Sequence, residues 1–290
     1  LMRILEIFFN GVPELLDKRR ELLATRDAVP LFITLSPTQV CNLKCKGCYA
    51  ASEASKKITL SYDVVDRILT EKKQLWGSFF TVISGGEPLA YKDNGKTIYD
   101  VFEKHSDQFF LMYTNGTLIN KEIAKRLAEL GNVTPAISVE GLKKETDARR
   151  GEGVFDKILR AMENLREEGV LFGISMTATR ENSDILLSPE VINFWMDEQG
   201  AFYAWMFQYM PIGRAWSLDL LPTLEQRLRL YERTRELIHK ERRFVVDFWN
   251  NGPLSRGCIS GARDFGYFYI DWNGNVMPCV FVPYYTHNIK

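Results

Sequence analysis

Between residues 31 and 209 the chain repeats one pattern six times: a short apolar run, a polar or glycine-containing loop, then an amphipathic stretch. The runs cover 31–35, 79–83, 109–113, 133–139, 170–177 and 202–209. Runs this continuously apolar suit strands buried on both faces, as in a parallel sheet covered by helices. Between them, Ser61 and Asn120 stand where helix N-caps belong, ahead of Val64, Val65, Ile68 and Leu69 and of Ile123, Leu127 and Leu130. Phe155, Ile158, Met162 and Leu165 make another inward stripe, and Ser188-Pro189 reads as a cap with proline at the first helical position. Thr223 and Gln226 form a capping box opening a long helix to about Lys240. Right-handed strand-helix-strand crossovers then give an α/β fold, an open parallel sheet or a barrel.

In such folds the loops leaving the C-terminal ends of the strands converge on one face and carry the chemistry. Here those loops are "TQVCNLKCKGCYA", "SGGEP", "TNG", "SVEG", "TATREN" and "QYMPIGR", the polar clusters of this region. Their coincidence predicts a single site. The first holds Cys41, Cys45 and Cys48, three of five cysteines, an odd count that fits metal in a reducing, cytoplasmic setting better than a disulfide framework. A structural zinc site closes with four ligands, usually as paired Cys-x2-Cys. No second pair exists, although Cys258 or Cys279 could supply a fourth ligand through folding. The 37 basic and 37 acidic residues balance, so no global field recruits nucleic acid or an anionic membrane.

The segment "CNLKCKGCY" followed by "SGGEP" resembles the radical S-adenosylmethionine superfamily, with its Cys-x3-Cys-x2-Cys signature, and the likeness in element order extends from Leu31 to Met210. The resemblance implies an α/β fold, a partial (β/α)6 TIM-like barrel. It implies that Cys41, Cys45 and Cys48 hold a [4Fe-4S] cluster whose fourth iron is chelated by S-adenosylmethionine. Reductive cleavage of that cofactor gives a 5′-deoxyadenosyl radical, which abstracts a hydrogen atom from substrate. Gly85 and Gly86 are expected to let the backbone approach a ligand closely, and Glu87 to accept hydrogen bonds from the methionine ammonium. Ser138 resembles the family's polar contact to the cofactor. Arg150 resembles its carboxylate partner, with Arg149 as the rival. Thr114, Asn115, Glu140 and Thr177 point toward the same face, and Met210 to Gly213 offer an apolar adenine contact or plain packing. Many members place an aromatic residue just before the third cysteine. Here that position is Gly47, from which a backbone contact is expected, and Tyr49, also expected among the cofactor-binding residues with Asn115 and Glu140, follows the cysteine instead.

From about residue 244 the character changes to glycine turns and aromatic strand residues, with a hairpin expected around Asn273-Gly274. Cys258 and the spacing from Gly274 to Cys279 resemble the start of a SPASM or twitch-type extension, a small C-terminal iron-sulfur module. The two cysteines are then expected to serve an auxiliary cluster; buried apolar thiols, or a thiol donating hydrogen to a substrate radical, are the alternatives. The division expected is 1–29, an N-terminal helical segment; 30–243, the barrel; and 244–290, the extension. A start at Leu1 and a stop soon after Cys279 fit a segment of a longer polypeptide. His105, His239 and His287 show no ligand spacing; the first two read as helix-surface residues and His287 as a weak ligand candidate.

The resemblance implies an electron donor such as flavodoxin or ferredoxin and a peptide, protein or other large substrate. The apolar N-terminal helix and "AFYAWMFQYM" admit a lipid or isoprenoid substrate with peripheral membrane contact. A non-catalytic iron-sulfur or zinc interaction module explains the cysteines but not the glycine-glutamate loop.

Overall fold

The computed structural model describes residues 2–25, 29–250 and 256–290. Leu1 of the opening apolar run, residues 26–28 of the N-terminal segment and residues 251–255 of the tail lie outside the described residues.

Helix α1 (Met2–Leu23) runs unbroken through Gly11 and Pro13. Its buried Ile7 and Leu15 pack with Phe79, and Phe8 meets the rings of Phe79 and Phe109 edge-on, each at 5.2 Å. Those rings stand where strands begin, so α1 closes the N-terminal end of the barrel. Its other face is exposed at Met2 and Phe9.

The repeats follow in order. β1 (Phe32–Leu35), α2 (Tyr62–Trp76) and β2 (Phe80–Ile83) lead to a small hairpin, β3 (Lys92–Asp93) with β4 (Lys96–Thr97), and α3 (Ile98–Lys104). β5 (Phe109–Thr114), α4 (Lys121–Leu130), β6 (Val133–Val139), α5 (Lys143–Arg150) and α6 (Val154–Glu167) come next. β7 (Gly173–Ala178), the short α7 (Pro189–Ile192), β8 (Ala204–Gln208) and α8 (Leu224–His239) complete the barrel region. The expected caps are made: Asn120 Oδ1 accepts from Ile123 N at 2.9 Å, and Thr223 and Gln226 bond reciprocally.

Two readings need correction. The run at 170–177 becomes a strand only from Gly173, because Val170 N bonds Leu165 O and closes α6 instead. His105, expected at the surface, is 6% exposed: its Nε2 lies 3.0 Å from Asp66 Oδ1 and its Nδ1 3.2 Å from Gln108 Nε2. Burial holds its pKa below the ordinary imidazole value, against the pull of Asp66.

Strands β1, β2, β5, β6, β7 and β8 pair in parallel in that order, the expected six-stranded partial barrel. The residues after 244 extend both of its edges. β9 (Val245–Asp247) adds in parallel to β8, while β10 (Tyr267–Ile270) adds in parallel to β1, with Thr34 opposite Tyr269. β11 (Asn275–Met277) and β12 (His287–Asn288) continue antiparallel beyond β10, the first of them across the expected Asn273-Gly274 turn. No described helix is long and apolar enough to cross a membrane.

Candidate active site

The cysteine loop leaves the C-terminal end of β1. Its base is zipped by Gln39 N to Ile58 O (2.9 Å) and Leu60 N to Pro37 O (2.8 Å). Its far side is held from two directions: Lys46 N bonds Arg149 O at 2.9 Å, and Arg214 N bonds Cys48 O at 2.9 Å while its guanidinium reaches Cys45 O and Ser52 O. Gly213 makes the second approach possible, since a Cβ there would lie 2.3 Å from the carbonyl oxygens of Cys48 and Tyr49. All five cysteines are free thiols. Cys41 Sγ accepts from Leu43 N at 3.4 Å and Asn115 Nδ2 at 3.8 Å, yet burial still pushes its pKa up to about 12. The pocket alone favours a protonated thiol; a metal centre held there would take the place of that proton.

The glycine pair lines the cavity and also meets the chain's own backbone. Gly86 N bonds Thr38 O at 2.9 Å, Glu87 N bonds Val40 O at 2.8 Å, and a Cβ on Gly86 would stand 2.1 Å from Val40 O. The close approach is therefore to the chain's own cysteine loop. Glu87, 1% exposed, already accepts from Leu89 N (3.1 Å), Thr114 Oγ1 (2.7 Å) and Asn115 N (2.8 Å). Burial raises its pKa and those donors oppose the rise. A carboxylate offers about four acceptor positions, which leaves about one for a donor in the cavity that Glu87 lines.

On the opposite rim, Glu140 is also 1% exposed. One of its oxygens is shared by Arg149 and Arg150, the other accepts from Thr177 N at 3.3 Å, and Asn182 bonds its backbone carbonyl at 2.9 Å. Both arginines line the cavity and Glu140 stands behind them. Two guanidiniums against one carboxylate leave one net positive charge, and Arg150 Nε is buried without a partner.

These groups rim a cavity of about 310 Å³. Ser138 on β6 and its register partner Ser175 on β7 line it, with Thr177 above them. Its inner wall is aromatic: Phe32, Phe80, Tyr113, Trp205 and Phe207 from the strands, and Phe248, Tyr267 and Phe281 from the tail. Gly47 also lines it, and a Cβ there would fall 2.8 Å from the Tyr209 ring, so an aromatic group from β8's end fills the space beside the loop. Met210 lines the cavity, while Pro211 and Ile212 do not. Gln208, buried with neither amide atom paired, lines it as well. Arg214, Tyr209, Gln208 and Asn182 were not singled out individually from sequence, although all four lie in the "TATREN" and "QYMPIGR" loops assigned to the site.

Cys258 is exposed, and Cys279 is buried with its Sγ 3.0 Å from the Tyr267 hydroxyl. Bonds from Tyr267 N to Ile259 O and from Gly261 N to Pro278 O, both 2.8 Å, bring their segments side by side. Neither thiol lines the cavity. Among the described residues no three His, Cys, Asp or Glu side chains converge to hold a single metal ion. A multi-iron cluster asks instead for thiols set around it at separate corners, which a three-cysteine loop on a cavity wall supplies. With an unpaired guanidinium nitrogen and a free carboxylate position across the cavity, the residues present fit such a cluster and a zwitterionic ligand beside it.

The model of the Radical SAM superfamily matches residues 35–184. The mycofactocin maturase MftC of Mycolicibacterium smegmatis is 34% identical over 274 residues, covering 87% of this chain and 64% of that protein. An Fe-coproporphyrin III synthase of Methanosarcina barkeri is 33% identical over 160 residues, 54% of this chain and 39% of that protein. The chain thus spans less than two thirds of either relative. Among solved structures, Streptococcus suis SuiB bound to its precursor peptide SuiA superposes with a TM-score of 0.70 at 20% identity, over 90% of this chain and 62% of that one. The likeness to SuiB concerns fold alone, but the family match covers half of the chain and includes the cysteine loop, and on that ground the chain belongs to the radical SAM superfamily.

Proposed function

We propose that this chain reductively cleaves S-adenosylmethionine and abstracts a hydrogen atom from a peptide or other large substrate. The observation that carries the proposal is the convergence, on one cavity, of three free thiols, the Arg149-Arg150 pair with its net positive charge, and an aromatic inner wall. When bound, the cluster and its cofactor supply an electron and a carbon-centred radical. Cys41, Cys45 and Cys48 would hold the cluster. Arg150 and Ser138 would orient the methionine end, Glu87 would take its ammonium on the remaining acceptor position, and the Gly47 backbone would meet the adenine. Gly85, Gly86, Asn115 and Glu140 act one step back: the glycines and Asn115 set the cysteine loop and Glu87, and Glu140 aims both arginines.

The aromatic half excludes water from a reactive intermediate and accepts an apolar group. A relative named as a maturase and a structural neighbour bound to a precursor peptide support a peptide as the substrate class. The 244–290 segment is proposed as an extension whose Cys258 and Cys279 serve an auxiliary cluster, supported by their adjacent backbones. A flavodoxin or ferredoxin would deliver the electron.

The test is anaerobic reconstitution with iron and sulfide, reduction, and mass-spectrometric detection of 5′-deoxyadenosine. Wild type should form it, and Cys48→Ala should not. No product from wild type, or cofactor affinity unchanged in Glu87→Ala, would overturn the reading.

A further inference from the structure

Behind the thiols, hydroxyl groups join the tail to the cysteine loop. Tyr269 on β10, 2% exposed, donates to Ser36 Oγ at 2.9 Å. Ser36, fully buried at the exit of β1, stands against the next turn, where a Cβ on Gly85 would lie 2.9 Å from its Oγ. The Tyr49 oxygen lies 2.6 Å from Ser84 Oγ and accepts from Gly85 N at 3.1 Å. The contacts run in sequence: Tyr269 donates to Ser36, Ser36 packs on Gly85, and Gly85 and Ser84 hold the Tyr49 hydroxyl. A phenol has one donor and two acceptor positions, and Ser84 and Gly85 occupy two of those three. Main-chain bonds from Ser36 N to Ile270 O and from Ser84 N to Leu35 O, both 2.9 Å, run beside the hydroxyls, and Phe281 meets the Tyr49 ring edge-on at 6.0 Å.

We propose that Tyr49 and Tyr269 are positioning residues through which strand β10 fixes the direction of Cys48, the residue before Tyr49. The tail then determines the geometry of the third thiol without touching it. Only the spectroscopic arm of the test rests on the function proposed above.

In cofactor-free protein, alkylation of Cys48 by iodoacetamide, read by peptide mass spectrometry and normalised to exposed Cys258, should rise several-fold in Tyr269→Phe. Ser36→Ala, which keeps both rings, should give the same rise. An unchanged ratio in Ser36→Ala overturns the proposal, and that variant decides alone if Tyr269→Phe does not fold. In reconstituted, reduced protein, the paramagnetic resonance spectrum with S-adenosylmethionine should differ between wild type and Ser36→Ala. Faster alkylation with identical spectra would make the clamp irrelevant to the site and also overturn it. A wild type that assembles no cluster would sink the proposed function, leaving the alkylation ratio to decide this inference.

Discussion

At the N-terminal end of the barrel, Phe8, Phe79 and Phe109 meet edge to face under α1, and the buried Lys72 spends its ammonium on the carbonyls of Ser78 and Phe80. At the other end, Glu87 and Glu140 are buried more deeply than those rings, and they and the arginines Arg149 and Arg150 are each set against named polar partners. Removing atoms from the apolar end should cost in proportion to what is removed. Removing one group from the polar end strands its partners, so losses there are disproportionate.

Three variants test that contrast, the most damaging first. Glu140→Ala leaves two guanidiniums facing each other with no carboxylate, and should cost about 3–5 kcal/mol in urea unfolding; a loss like that of an ordinary surface variant would break the comparison. Phe8→Ala at the closed end should cost about 2 kcal/mol, below the usual range for a fully buried phenylalanine because its ring is 39% exposed. Its iron uptake on reconstitution should match wild type; impaired uptake would mean that the two ends are coupled. Lys72→Met, which takes the donor from the carbonyls of Ser78 and Phe80, should cost about 1–2 kcal/mol at neutral pH, and it should alter pH dependence. Burial holds the Lys72 pKa well below the ordinary ammonium value, so the folded state binds fewer protons than the unfolded chain. Wild type should therefore gain stability as pH rises from that lowered value toward the ordinary one. The variant should lack this component, and identical slopes in both proteins would remove Lys72 from the account.

Local pattern carried much of this structure. The six apolar runs became the six barrel strands, and Ser61, Asn120, Ser188 and Thr223 cap the helices read from them. The cysteine loop, the glycine-glutamate turn and the arginine pair were visible as motifs, because each is built from neighbours in sequence. What stayed hidden was their partnering. Nothing near Glu140 indicates that it binds both arginines and Thr177 N at once. The helix bearing His105 gives no sign of Asp66, 39 positions earlier. The glycine pair gave no sign of the backbone it meets, at Thr38 and Val40, because that backbone comes from the preceding repeat.

The pairing of β10 with β1 has a consequence for the order of events in synthesis. Ser36 and Tyr269 stand 233 positions apart, so β1 is made well before its outer neighbour. Until residues 267–270 have left the ribosome, one edge of β1 is unpaired and open to wrong strands. Contacts this distant also form slowly. The cysteine loop is thus translated well before the strand that completes its support, and iron delivered to the nascent chain in between would meet thiols not yet held in place.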